Sequence, residues 1–255
     1  MPTNTMMSKQ DADKSAKIAI VTGAAHRIGR AIAFSLAQQN WRVAIHYHRS
    51  QDEAEMLAGD IDPTGKRATA VPANLSDIDS VRQLVPRVTE HFDEAPHCLI
   101  NNASLYMPDS IGKLDPAQWQ AHLDVNLRAP VLLGESLAGH LPASENGNII
   151  NIIDHRVMRP TPDYFSYSLS KAGIWWATLT MAQALAPRIR VNAIGPGPVL
   201  KSIHETQAAF DAKWSSTPLG QGATPDDITR AVHFLLMTPS ITGQMICLDG
   251  GQTLG

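Results

Sequence analysis

Tyr167 and Lys171 stand four residues apart in the run Tyr164-Phe165-Ser166-Tyr167-Ser168-Leu169-Ser170-Lys171. In a helix that spacing puts both side chains on one face. A tyrosine hydroxyl can give a proton to a heteroatom whose double bond has just received a hydride. Its ordinary pKa of about 10 is high for that work at neutral pH, and a nearby ammonium lowers it. Asp154 precedes Tyr167 by thirteen residues and follows the apolar run 148–153. The carboxyl end of a strand is where open α/β sheets hold their ligands. Asp154, Tyr167 and Lys171 therefore read as a proton-donating site. An ionised aspartate only accepts hydrogen bonds, which suits a substrate presenting N–H or amino groups. In an apolar pocket its pKa would rise until it could itself help protonate a ring nitrogen.

A second group of residues could hold a dinucleotide. Thr22-Gly23-Ala24-Ala25-His26-Arg27-Ile28-Gly29 follows a short apolar run and opens an amphipathic helix. Glycines in such a turn let a pyrophosphate approach the free N–H groups of the helix N-terminus. Arg27 stands where a third glycine is usual, and its guanidinium could donate bidentately to phosphate oxygens. The second apolar run ends in His46-Tyr47-His48-Arg49-Ser50. An NAD site carries an acid there for the ribose 2′-hydroxyl. This chain has none, and His48, Arg49 and Ser50 could instead hold a 2′-phosphate, which favours NADPH over NADH. Asn74 could read an adenine edge through its amide. The ten histidines show no metal-ligand spacing, so no metal site is expected, and His26 reads as a solvated or capping residue.

The elements that must position these groups alternate along the chain. Strands are predicted at 17–22, 42–47, 67–71, 97–101, 148–153, 189–194 and 244–248. Helices are predicted after Ile28, over 51–58, from Asp77 with a distortion at Pro86, from Asp115 to His140 with a bend at Pro130, over 164–186, and from Thr224 to Met237. Near-continuous apolar strands alternating with helices imply one doubly wound α/β domain, a seven-stranded parallel sheet covered on both faces. That domain is expected over 17–255, with residues 1–16 as a mobile tail. Gly195-Pro196-Gly197-Pro198 is expected to end the sixth strand sharply. The stretch 200–222 reads as an active-site lid with one helical piece. The chain has 255 residues, a net charge of -3 and two cysteines without a CxxC pair. These argue against a nucleic-acid surface, a disulfide framework or a thiolate metal site. No signal segment or membrane-length apolar run is present, so the cytoplasm is the expected compartment.

The Thr22–Gly29 turn, Asn101-Asn102-Ala103-Ser104, Asn126, Tyr167-x-x-x-Lys171 and the Pro196-Gly197 turn together resemble the short-chain dehydrogenase/reductase family over 17–254. Within it, Arg27 in the turn, His46-Tyr47-His48-Arg49-Ser50, Tyr106 after Asn-Asn-Ala-Ser, and Asp154 in place of the usual serine are most similar to pteridine reductases. The resemblance implies a Rossmann-type fold and NADPH bound by Gly23, Arg27, Ile28, Gly29, His48, Arg49, Ser50, Asn74, Leu75, Asn102, Ala103, Ser104, Tyr167, Lys171, Pro196 and Gly197. It implies catalysis by Asp154, Tyr167, Lys171 and Asn126, with Asn126 supporting a water relay to the lysine. It implies a pterin or folate bound at Ser104, Tyr106, Asp154 and Tyr167, Tyr106 stacking the ring, and a homotetramer. Asn74 departs from the aspartate common there, and the loops 105–114 and 200–222 have no residue-by-residue match. Two other readings stand beside it. One is a carbonyl reductase of the same fold acting on an oxoacyl thioester, the other a non-catalytic NADPH-binding regulatory protein.

Overall fold

The computed structural model describes residues 16–254. Seven parallel strands form one sheet in the order β3-β2-β1-β4-β5-β6-β7. They are β1 Ile18–Val21, β2 Arg42–Tyr47, β3 Ala68–Pro72, β4 Cys98–Asn101, β5 Gly147–Ile152, β6 Ile189–Pro196 and β7 Met245–Leu248. The strand order reverses beside β1, between the pairs β1–β2 and β1–β4, which opens a crevice at the carboxyl ends. The expected doubly wound architecture is what forms.

Period-two alternation divides the core. Ala19 and Val21 face one layer, Ile18 and Ile20 the other. The first layer contains α1 Arg27–Gln38, α2 Gln51–Ile61 and α8 Pro225–Met237, through residues such as Ile32, Leu36, Leu57 and Val232. The opposite layer contains α3 Ile78–Phe92, α5 Ala129–His140 and part of α6 Phe165–Leu185, through Leu84, Val88, Leu133 and Leu137. Two shorter helices complete the chain, α4 Pro116–Leu123 and α7 Gln207–Ser215. Fully burying one such Leu or Ile is worth roughly 1.5–3 kcal/mol, so the two layers carry most of the stabilisation.

Several local expectations need correction. The long helix after Asp115 is not one α-helix up to Pro130. It is interrupted earlier by a π-helical turn, Asp124–Arg128, and Pro130 follows that turn directly in a backbone that stays helical. The sixth strand does not stop before Gly195-Pro196. It runs through both, beside Cys247 and Leu248 of β7, and the missing N–H of Pro196 faces the other side, where the pairing with β5 has already ended at Ile194. Pro86 lies inside a helix that stays continuous, and the Asp77 carboxylate caps that helix by accepting from Ser80 N at 2.7 Å. The expected tail falls on residues outside those described, except Ala16. That residue is buried, and its carbonyl accepts from Arg42 Nε at 2.8 Å. The lid stretch 200–222 contains α7 as its one helix.

Candidate active site

The first βα turn is built tightly. Gly23 has φ +62, and a Cβ on Gly29 would lie 2.3 Å from Gly23 O, so side chains are barred where the turn closes. Thr22 Oγ1 accepts from Asn102 N and Ala103 N, and Asn102 Nδ2 donates to the carbonyls of Thr22 and Gly23. The amide of Asn102 thus braces the turn. His26 is the N-cap of α1 but makes no side-chain cap bond, which leaves the helix N-terminus open toward a cavity of about 390 Å³. Gly23, Arg27, Ile28, Gly29, His48, Asn74, Leu75, Asn102, Ala103 and Ser104 line it. Open N–H groups, a glycine turn and no acid at the end of β2 fit a dinucleotide with a 2′-phosphate. Arg49 is exposed beside His48, outside the lining. His26 is exposed, as expected of a solvated residue, and its Nε2 also lies 3.0 Å from the Ser50 hydroxyl at the end of β2.

Arg27 does not point its fork at a free phosphate position. Its Nη1 and Nη2 donate to the carbonyls of Lys201 and Leu200 at 2.9 and 3.0 Å, fastening the turn to the start of the lid. Its φ of +56 explains why a glycine is usual there.

His46, named in the sequence only as part of the run ending β2, has a role that its position there did not reveal. It is buried in β2, its Nδ1 accepts from Gly23 N at 3.0 Å, and its Nε2 donates to Ala73 O at 3.1 Å. A histidine inside an otherwise apolar run was the available signal. Burial pushes its pKa from 6.5 down to about 4, partly opposed by the bond to Ala73.

At the carboxyl end of β5 the three residues read as a proton-donating site, Asp154, Tyr167 and Lys171, come together. Tyr167 OH donates to Asp154 Oδ2 at 2.8 Å. Lys171 Nζ donates to Ile152 O at 2.9 Å and lies 5.7 Å from the Tyr167 ring centre. Asn126 sits in the π turn, and its side chain is fully used. It donates to Leu105 O and Ser170 Oγ and accepts from Leu105 N. Any relay through this residue would therefore run by its backbone, where a π turn loosens the helical ladder.

Two residues that the sequence reading passed over set the charge here. His155 Nδ1 lies 3.2 Å from Asp154 Oδ1 and also donates to Pro196 O at 3.1 Å. Arg156 N donates to Asp154 Oδ1 at 2.8 Å, and its guanidinium lies 3.7 Å from Oδ2. Burial pushes the Asp154 carboxyl up, but these neighbours outweigh it and hold the pKa below the usual carboxylate range. Asp154 is therefore an acceptor at neutral pH. The alternative of a neutral carboxylic acid is corrected by the basic pair that follows it. The expected lowering of the Tyr167 pKa is corrected too. Burial, the Asp154 charge and the hydrogen bond raise it well above 10. Lys171 is pushed down to about 8 by burial, against the attraction of Asp154.

Tyr106 stacks on Tyr164 at 4.2 Å and meets Tyr167 edge-on at 4.7 Å. Arg156 Nη1 donates to its hydroxyl at 3.2 Å. Tyr106, Asp154, Arg156 and Tyr167 line a cavity of about 440 Å³ under the lid. A space of about 240 Å³, lined by Ser104, Lys171, Pro196 and Gly197 among others, shares residues with both larger cavities. The glycine turn and the Asp154, Tyr167 and Lys171 side chains thus face one continuous cleft.

Comparison with known proteins agrees with this geometry. A family model described as enoyl-(acyl carrier protein) reductase matches residues 23–253. The 3-oxoacyl-[acyl-carrier-protein] reductase of Synechocystis is 32% identical, over 94% of this chain and 98% of its own. Among solved structures, FolM alternative dihydrofolate reductase 1 from Brucella suis, in complex with NADP, superposes with a TM-score of 0.90 at 44% identity, covering 95% of this chain and 96% of that one. A short chain dehydrogenase from Burkholderia cenocepacia, also with NADP, has a TM-score of 0.86 at 33% identity, covering 94% and 98%. The chain belongs to the short-chain dehydrogenase/reductase family.

Proposed function

We propose that this protein is an NADPH-dependent reductase of pteridines, converting a dihydropterin or dihydrofolate to its tetrahydro form. The observation that carries the reading is the ionised Asp154 carboxylate, held between His155 and Arg156 at the proton-transfer site. A carboxylate accepts hydrogen bonds from ring N–H and amino groups and repels a carbonyl oxygen. The 44% identical FolM structures support the same reading.

The open N-terminus of α1 would receive the pyrophosphate, and His48, Arg49 and Ser50 the 2′-phosphate. Asn74 and Leu75 would border the adenine, and Pro196 and Gly197 the nicotinamide. When bound, NADPH supplies the hydride. The chain supplies orientation and the proton. Asp154 holds the N–H face of the ring, and Tyr106 gives it an aromatic surface, worth roughly 0.5–1.5 kcal/mol beyond burial. Tyr167 keeps its proton until a basic nitrogen arrives, because its pKa is high. Lys171 then stabilises the phenolate, and the backbone at Asn126 leads toward solvent for reprotonation. The enzyme would act in the cytoplasm as a homotetramer, an assembly that would cover Trp176 on α6, which is 69% exposed in the single chain.

The second reading, reduction of a 3-oxoacyl thioester, draws on the Synechocystis relative. One assay separates them. NADPH oxidation by the purified protein is followed with 7,8-dihydropterins, dihydrofolate and a 3-oxoacyl thioester. Turnover of the dihydropteridines supports the proposal, and turnover of the thioester alone overturns it. Tight NADPH binding with no turnover would favour a regulatory role.

A further inference from the structure

His122 on α4 is fully buried, and its ring joins three separate pieces of chain. Met107 N donates to its Nε2 at 3.2 Å, so that nitrogen carries no hydrogen. The proton therefore sits on Nδ1, which lies 2.6 Å from Ser166 Oγ and donates to it. The Ser166 hydroxyl donates in turn to Asp109 Oδ2. Ser166 N donates to Asp109 Oδ1 at 3.1 Å, and Phe165 N to Asp109 O at 3.4 Å. Every hydrogen in this chain of bonds is committed in one direction.

The pieces it joins are the two sides of the substrate cavity. Met107 and Asp109 belong to the loop after β4 and follow Tyr106 directly. Ser166 opens the catalytic helix α6 and immediately precedes Tyr167. The ring of Tyr167 lies 6.1 Å from that of His122 and 4.7 Å from that of Tyr106.

We propose that Asp109, His122 and Ser166 are positioning residues that hold the loop bearing Tyr106 at a fixed spacing from the Tyr167 hydroxyl, and that protonation of His122 releases the loop. A second proton would have to go on Nε2, where it would face the Met107 N–H, donor against donor. The titratable groups facing His122 are Asp109 from the loop, acting through Ser166, and Tyr167 from α6. Burial pushes the His122 pKa below 6.5 against the attraction of Asp109. The clamp is accordingly closed at neutral pH and opens in acid. The inference rests on the reading that Tyr106 touches the substrate.

The test pairs kinetics with hydrogen exchange at the Met107 amide, which needs no substrate. In the wild-type protein the KM for dihydropterin should rise about tenfold in acid, a hydrogen bond's worth. His122→Phe and Ser166→Ala should show the raised KM already at neutral pH, with Met107 exchanging fast. His122→Gln, which keeps one donor and one acceptor but does not titrate, should restore the neutral KM and remove the acid rise. An unchanged KM and a protected Met107 amide in Ser166→Ala would overturn the clamp, and so would an acid rise that persists in His122→Gln. A Met107 amide that follows His122 as described, in a protein that reduces no dihydropterin, would support the clamp and overturn the pteridine reading.

Discussion

His46 makes the dinucleotide turn sensitive to acid, and the size of the effect can be worked out. In the native chain its pKa lies near 4, against 6.5 for an ordinary histidine. The unfolded chain takes up the proton as pH falls below 6.5, while the buried ring resists until about 4. Its stabilisation is therefore complete above pH 6.5 and is lost as pH falls toward 4. At about 1.4 kcal/mol per pH unit, that gap is worth about 3 kcal/mol in full, and about 2 kcal/mol is already lost at pH 5. The proton would also have to enter at Nδ1, where Gly23 N now donates, so the turn itself would open. Urea unfolding of the wild-type protein and of His46→Gln at pH 7 and pH 5 checks this. Gln can keep an acceptor and a donor but does not titrate. We expect His46→Gln to cost about 1 kcal/mol at pH 7 and to remove about 2 kcal/mol of the wild-type loss between pH 7 and pH 5. An equal fall in both proteins would refute the assignment of that loss to His46.

Other outcomes follow from the site. In the proposed mechanism Lys171 acts as a cation, and its pKa is near 8, so turnover at saturating substrate should fall as pH rises from 7 through 8; a pH–rate profile flat to pH 9 would contradict the role. Asp154→Ser removes the acceptor and the charge that holds the Tyr167 proton, and should cut dihydropterin turnover about 100-fold with NADPH binding intact; unchanged turnover would remove the carrying observation of the proposed function. Arg27→Gly relieves a positive φ but loses two bonds to the lid. Global stability should move by no more than about 1 kcal/mol, while limited proteolysis within 200–222 accelerates several-fold; an unchanged cleavage rate would refute the tether.

Much of the fold was legible because each signal was local. Apolar runs of strand length bounded by turn residues, and helices with clear apolar faces, describe a doubly wound sheet before any contact is known. The Asp77, Asp115 and Thr224 caps are where sequence puts them, since a cap depends on residues within one turn. The misplaced features were the ones decided by neighbours in space. Pro196 could stay in β6 because its missing N–H falls on the side where β5 has already ended, while its neighbour Gly197 bonds to β7. The interruption of the long helix moved to Asp124–Arg128, where Asn126 is drawn into bonds with Leu105 and Ser170.

The residue types of the site were determined by the sequence alone. Tyr167 and Lys171 share a helix face by spacing, Gly29 leaves room for a turn, and the end of β2 offers cations and no acid. What each group does was decided only by the tertiary structure. Arg27 reaches across 174 residues of chain to Lys201 in the lid, and His46 finds Gly23 because β1 and β2 are adjacent. Asp154 is ionised because His155 and Arg156 turn toward it, and Tyr167 holds its proton because that charge lies 2.8 Å away. Spacing along a chain places side chains on an element. Charge state and hydrogen-bond direction depend on what the other elements bring within a few ångströms.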